Sequence, residues 1–164
     1  MKLEELYKEI QPSIYAFFYV KTMNKEIAED MTQEVFYQAI KNYNTYSGKS
    51  TLKTWTFSIA KNILLKHFRT NKYKGDLATK LQNEMLLQTT ESLETQIIQK
   101  EKRLHLIHLI NKLDEVTKEI VTLRIYGELS FHEIGQLIGK SENYSRITFH
   151  RAKLKLQKEL EKYE

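Results

Sequence analysis

Apolar residues recur along this chain at the spacing of α-helices. From about Leu3 to Lys21 they follow the 3.6-residue period, predicting a first helix that bends or splits near Pro12, which lacks the N–H a continuous helix needs. Asn24 is placed to cap a second helix, with Ile27, Ala28, Met31, Val35, Phe36, Ala39 and Ile40 on one face. The tract "NYNTYSGKS" interrupts helicity. A third helix then runs from about Thr51 to Lys72, its apolar side supplied by Leu52, Trp55, Phe57, Ile59, Ala60, Ile63, Leu64 and Phe68. Beyond it the pattern weakens, with a short apolar centre at Met85 to Leu87, and resumes in helices near Leu93–Leu113, Val116–Tyr126, Ser130–Ile138 and from Ser141 onward. One proline and five glycines leave little punctuation for strands and hairpins. The expected fold is all-α: two small helical domains, residues 1–72 and 93–164, joined by a flexible linker at 73–92.

The most specific local signal is "ELSFHEIGQLIGKSENYSRITFHRAKLKL". Ser130 and Glu133 have the spacing of a capping box, Ile134, Leu137 and Ile138 form an apolar stripe, and Gly139 can take the left-handed conformation that ends a helix. Ser141 can cap the next helix after a short turn. Helix, glycine turn, helix predicts a helix-turn-helix, whose second helix enters a DNA major groove with its N-terminal residues at the base edges. Glu142, Asn143, Ser145 and Arg146 occupy that end, with Arg151 and Lys153 further along. An ordinary helical hairpin with a basic last helix is the competing reading.

Charge sharpens the picture. The chain has 164 residues and a net charge of +5, but the charge is in blocks. Residues 1–34 hold four lysines and seven acids, and residues 76–139 hold seven basic and ten acidic residues. Between them, residues 35–75 carry Lys41, Lys49, Lys53, Lys61, Lys66, Arg69, Lys72 and Lys74 without one acid, and residues 143–158 carry five cations, again without an acid. Two basic blocks in an otherwise acidic chain point to two contacts with a polyanion, against solvated lysine-rich faces as the alternative. In the first block Trp55, Phe57 and Phe68 interleave with the cations, and Tyr43, Tyr46, Ser47, Gly48 and Lys49 precede them in a loop. Flat faces beside positive charge suit single-stranded nucleic acid, although Trp55 and Phe57 fit a helical core equally well; the loop tyrosine Tyr46 is better placed to touch a base.

Composition excludes several classes. The absence of cysteine removes disulfide frameworks, iron–sulfur clusters and Cys-based zinc sites. The longest apolar run, Ile14 to Val20, is far short of the ~20 residues of a membrane span, and "MKLEELYKEI" does not read as a signal peptide. The expectation is a soluble cytoplasmic protein without membrane insertion. Nor is an enzyme expected. "HEIGQ" carries Gln136 where a zinc-protease motif needs its second histidine, His105 and His108 alone share a helix at ligand spacing, and no phosphate loop or nucleotide fingerprint occurs; no metal and no cofactor is predicted. A DNA-binding regulator acting as a dimer, and a purely structural helical adaptor, remain as rivals. The former lacks an obvious dimer helix, and the latter leaves both basic blocks unexplained.

Taken in order, "AEDMTQEVFYQAI", "GKSTLKTWTFSIAKNILLKHFR" and "LSFHEIGQLIGKSENYSRITFHRAKLKL" resemble the successive signature blocks of an extracytoplasmic-function sigma factor of the sigma-70 family, and the resemblance covers nearly the whole chain. It implies a subunit that binds core RNA polymerase, reads a −35 duplex and captures the melted −10 element. Asp30, Gln33 and Glu34 match the family's Asp-x-x-Gln-Glu contact with polymerase. The loop Tyr46 to Ser50, with Tyr46, Ser47, Gly48 and Lys49, matches the segment that holds a flipped −10 base. Asn62 matches a base-contacting position, with Lys66 and Arg69 beyond it on the same cationic helix. Arg146 and Arg151 match positions of the −35 reader. An anti-sigma partner is implied as well, and an acidic connector, with Asp76, Glu84, Glu91 and Glu94, that would follow the path of nascent RNA. Three places depart from the family pattern: Leu113-Asp114 for Leu-Pro, Ile134-Gly135 for Ile-Ala, and Tyr144-Ser145-Arg146-Ile147-Thr148 in the recognition helix.

Overall fold

The computed structural model describes residues 2–71 and 93–163, and every element in them is helical. The expected linker at 73–92, with Asp76, Glu84 and Glu91, lies outside the described residues. The N-terminal half contains α1 (Lys2–Thr22), α2 (Lys25–Lys41), a 3-10 turn (Tyr43–Thr45) and α3 (Leu52–Asn71). The C-terminal half contains α4 (Leu93–Asn111), α5 (Glu115–Ile125), α6 (Phe131–Ile138) and α7 (Glu142–Tyr163). No described helix is long and apolar enough to cross a membrane.

Helix α1 runs through Pro12 without a break, contrary to the expected split. Pro12 is exposed, and so is Lys8, whose carbonyl loses its i+4 donor, so water can satisfy that group on the wet side. The opposite face, with Ile10, Ile14, Phe17 and Phe18 fully buried, carries the helix on into the core. Met23, at φ 54°, turns the chain, and Asn24 caps α2 by accepting the Ile27 N–H at 3.0 Å. Five of the seven residues expected on the apolar face of α2 are buried and Ile27 is half-buried, but Ile40 is 65% exposed. It lies a turn beyond Phe36, where no third helix reaches. Thr51 begins α3 by accepting the Thr54 N–H at 3.1 Å.

In the C-terminal half Asp114 caps α5 through the Thr117 N–H at 3.2 Å, with φ −61°. That backbone would also suit the proline usual in the family, so an aspartate replaces a fixed φ with a side-chain cap. The capping box of α6 is complete: Ser130 Oγ accepts the Glu133 N–H at 3.1 Å and Glu133 accepts the Ser130 N–H at 3.0 Å. Gly139 has φ 72°, the Lys140 N–H returns to the Gly135 carbonyl at 3.0 Å, and Ser141 caps α7 through the Tyr144 N–H at 3.0 Å. Gly135 is required at the turn, because a Cβ there would lie 2.5 Å from the Lys140 carbonyl oxygen.

The two halves share more than a connection. The main apolar cluster joins Phe17, Phe18, Val35 and Phe57 of the first to Ile120, Leu123, Leu129 and Ile134 of the second. Its rim is polar: Ser13 donates to Glu128 at 3.1 Å, Lys53 to the Glu128 carbonyl at 2.9 Å, and Thr51 and Thr54 to Glu133 at 3.0 and 3.1 Å. Lys21 pairs with Glu119 at 3.0 Å, and both are mostly shielded from water. A smaller cluster of Ile110, Val121, Ala152 and Leu156 ties α7 to α4 and α5.

Candidate nucleic-acid interfaces

Helical phase divides the cations of α3. Lys53 and Lys61 point inward to the C-terminal half: Lys61 donates to the Leu137 carbonyl at 3.3 Å and lies 4.0 Å from Glu119. Asn62, Lys66 and Arg69, at i, i+4 and i+7, point the other way and are exposed. Leu65 is exposed beside them. The acid-free stretch therefore performs two tasks, and only part of it meets solvent.

The preceding loop is an aromatic stack. Tyr46 is half-buried, not freely exposed as expected: its ring lies 6.4 Å from Tyr43 and 5.4 Å from Trp55, and its hydroxyl donates to the Ser50 carbonyl. Ser47, Gly48 and Lys49 form the exposed tip, with Gly48 at φ 80°. Tyr43 and Trp55 thus belong with Tyr46 on one surface. The signal for Trp55 was its position one turn before Ile59 and seven residues before Asn62.

On α2, Asp30, Gln33 and Glu34 are exposed on one face, and Tyr37, 60% exposed, continues it seven residues after Asp30. Sequence reasoning had passed over Tyr37. Glu34 accepts from Gln38 at 2.9 Å, so its carboxylate is oriented along the helix surface.

At the recognition helix, Glu142, Asn143 and Arg146 are exposed. Ser145 is not: it is fully buried and its hydroxyl donates to the Ser141 carbonyl at 3.0 Å, so the expected base contact from Ser145 is corrected to an internal bond. One residue's difference, 100° around the helix, separates it from Arg146. Arg151 is exposed on the outward side together with Ile147 and Leu154, which the sequence reading left out. Lys153 is exposed at the edge of a groove lined by Leu106, Ile125 and Leu156, on the side of α7 away from Arg151 and in phase with Arg146 seven residues before it. Arg146 pairs with Glu142 at 3.4 Å and lies over the Phe131 ring at 5.6 Å.

Glu133, in the capping box of α6, has a displaced ionisation. Burial by itself would raise its pKa, but hydrogen bonds from the Ser130 backbone and the hydroxyls of Ser130, Thr51 and Thr54 together hold it below the ordinary glutamate range.

An all-helical chain with a helix-turn-helix at one end and an aromatic–cationic helix face at the other is a DNA-binding protein with two separate readers. Sigma-70 region 2 matches residues 6–73 and Sigma-70 region 4 matches residues 103–156. RNA polymerase sigma factor YlaC of Bacillus subtilis is 29% identical over 98% of this chain and 92% of its own length, and the ECF sigma factor SigM of the same organism is 26% identical over 96% and 94%. Among solved structures, the sigma factor RpoE of Bartonella quintana, crystallised with the anti-sigma factor NepR, matches with a TM-score of 0.67 and 20% identity over 98% of this chain and 97% of that one. The chain belongs to the sigma-70 family, as an extracytoplasmic-function sigma factor. Its partners are core RNA polymerase and promoter DNA, and it directs promoter-specific transcription initiation.

Proposed function

We propose that residues 1–72 form the unit that docks on polymerase and captures the melted −10 strand, and that residues 93–164 read the −35 duplex, with 73–92 connecting them. In this reading Asp30, Gln33 and Glu34 meet a basic surface of the polymerase. Tyr46, Ser47, Gly48 and Lys49 hold an unstacked base, while Asn62, Lys66 and Arg69 follow the strand. Glu142, Asn143, Arg146 and Arg151 face the major groove. Lys153 serves the flanking backbone. The observation that carries it is the phase of α3: Asn62, Lys66 and Arg69 share the exposed side, and the two other lysines are tied to the opposite one.

Sigma factors are initiation factors without chemistry of their own, and here too the polymerase carries out the covalent steps in the cytoplasm. RpoE is crystallised with an anti-sigma factor, and such a partner here would cover one or both DNA-binding faces. The test is run-off transcription by core polymerase over a promoter library. Asp30→Ala with Glu34→Ala should weaken co-purification with core enzyme while the melting temperature holds. Undiminished core binding, or no promoter preference at all, would overturn the assignment.

A further inference from the structure

Phe131 opens α6, outside the recognition helix, yet its ring is the meeting point of two arginines. The Arg124 guanidinium stacks 4.2 Å from the ring centroid, and its Nη1 donates to the Leu129 carbonyl at 2.9 Å. Arg146 lies 5.6 Å from the same centroid, within the range where a ring face attracts a cation. Phe149 and His150 of α7 flank the ring at 5.6 and 6.0 Å. The order of attachment runs from backbone outward: the Leu129 carbonyl holds Arg124, Arg124 and α7 hold the ring, and the ring holds Arg146. Glu142 also pairs with Arg146, but that contact is solvent-exposed and contributes little by itself.

We propose that Phe131 is a positioning residue for promoter specificity: its ring face, braced by Arg124, sets the pose from which Arg146 meets the base edges. This rests on the reading of Arg146 as a base contact. A flexible arginine finds any nearby phosphate; one aligned before binding loses less freedom in forming a bidentate pair with a base, so the ring contributes discrimination more than affinity. A phenylalanine carries no hydroxyl, so the ring acts through its face alone.

The experiment uses the full chain assembled with core polymerase and measures relative transcription from duplexes varied at each −35 position. Phe131→Leu should lower discrimination roughly two- to fivefold at the position that Arg146→Ala also flattens. Phe131→Tyr should retain it, and Arg124→Gln, which removes the brace while leaving every core side chain in place, should reproduce the loss if Phe131→Leu fails to fold. In an Arg146→Ala background Phe131→Leu should have no further effect on preference. An equal drop in both backgrounds, or full discrimination in Phe131→Leu while Arg146→Ala loses it, would overturn the positioning role. Unchanged preference in Arg146→Ala would instead remove the base contact itself, and the positioning role with it.

Discussion

Glu133 joins two levels of structure through four hydrogen bonds: it completes the capping box of α6 and receives Thr51 and Thr54 from α3. Its depressed pKa makes its contribution depend on pH with a definite sign. The stabilisation is fully present above the unfolded glutamate value and is lost as pH falls through the lower folded value. Glu133→Gln should therefore melt lower than the parent at neutral pH, with the difference closing as pH falls through the lowered folded value. A gap that persists in acid would mean that the carboxylate charge is not the source. The cations of α3 and α7 separate by another measurement. Arg146→Ala should flatten −35 preference, since a bidentate pair is worth ~1–3 kcal/mol of discrimination. Lys66→Ala or Arg69→Ala should weaken open-complex formation on every promoter and reduce the salt slope by about one unit or less.

At the scale of elements, helix ends were the most legible part. Asn24, the Ser130–Glu133 box, Gly139 and Ser141 are local devices, each acting within a few residues, the first two and Ser141 through side chains and Gly139 through its left-handed backbone, and all four stand where sequence reasoning put them. The Gly135 departure from the family has a cause only in the folded turn. Alanine there would gain about 1 kcal/mol of helix propensity, but its Cβ would meet the Lys140 carbonyl at 2.5 Å, a backbone atom that can yield only by moving the start of α7. Overpacking of this kind costs ~1–3 kcal/mol, so Gly135→Ala should lower the melting temperature and weaken −35 binding together. A stabilised variant with unchanged DNA binding would show that the turn relaxes freely. Pro12 teaches the converse: propensity forecast a break, and a buried face running past the proline overrode it.

The whole molecule poses a problem of distance. The two readers are packed together across Phe57 and Leu129, and a folded chain of 164 residues has a radius of gyration of about 15 Å. The −35 and −10 elements lie about 25 base pairs apart, roughly 85 Å of duplex. Both cannot be held at once while the halves stay packed, so they should separate in the initiating complex. Because the chain lacks cysteine, dyes can be placed by Glu9→Cys and Lys158→Cys on exposed sites of the two halves. Energy transfer should be high in the free protein and fall on adding core polymerase and promoter. Transfer that stays high in an actively transcribing complex would rule out separation.

Periodicity, capping residues and charge blocks determined the helices of the described residues, the helix-turn-helix and the two cationic segments, because each depends on contacts within one or two turns of chain. Which lysines of α3 meet solvent, that Ser145 faces inward, that Tyr46 stacks on Tyr43 and Trp55, and that Glu133 holds α3 were decided only by tertiary structure. The reason is geometric: helical spacing defines faces but not what lies opposite them, and the partner surface here, the α5–α6 corner, comes from residues some 75 positions away in the chain.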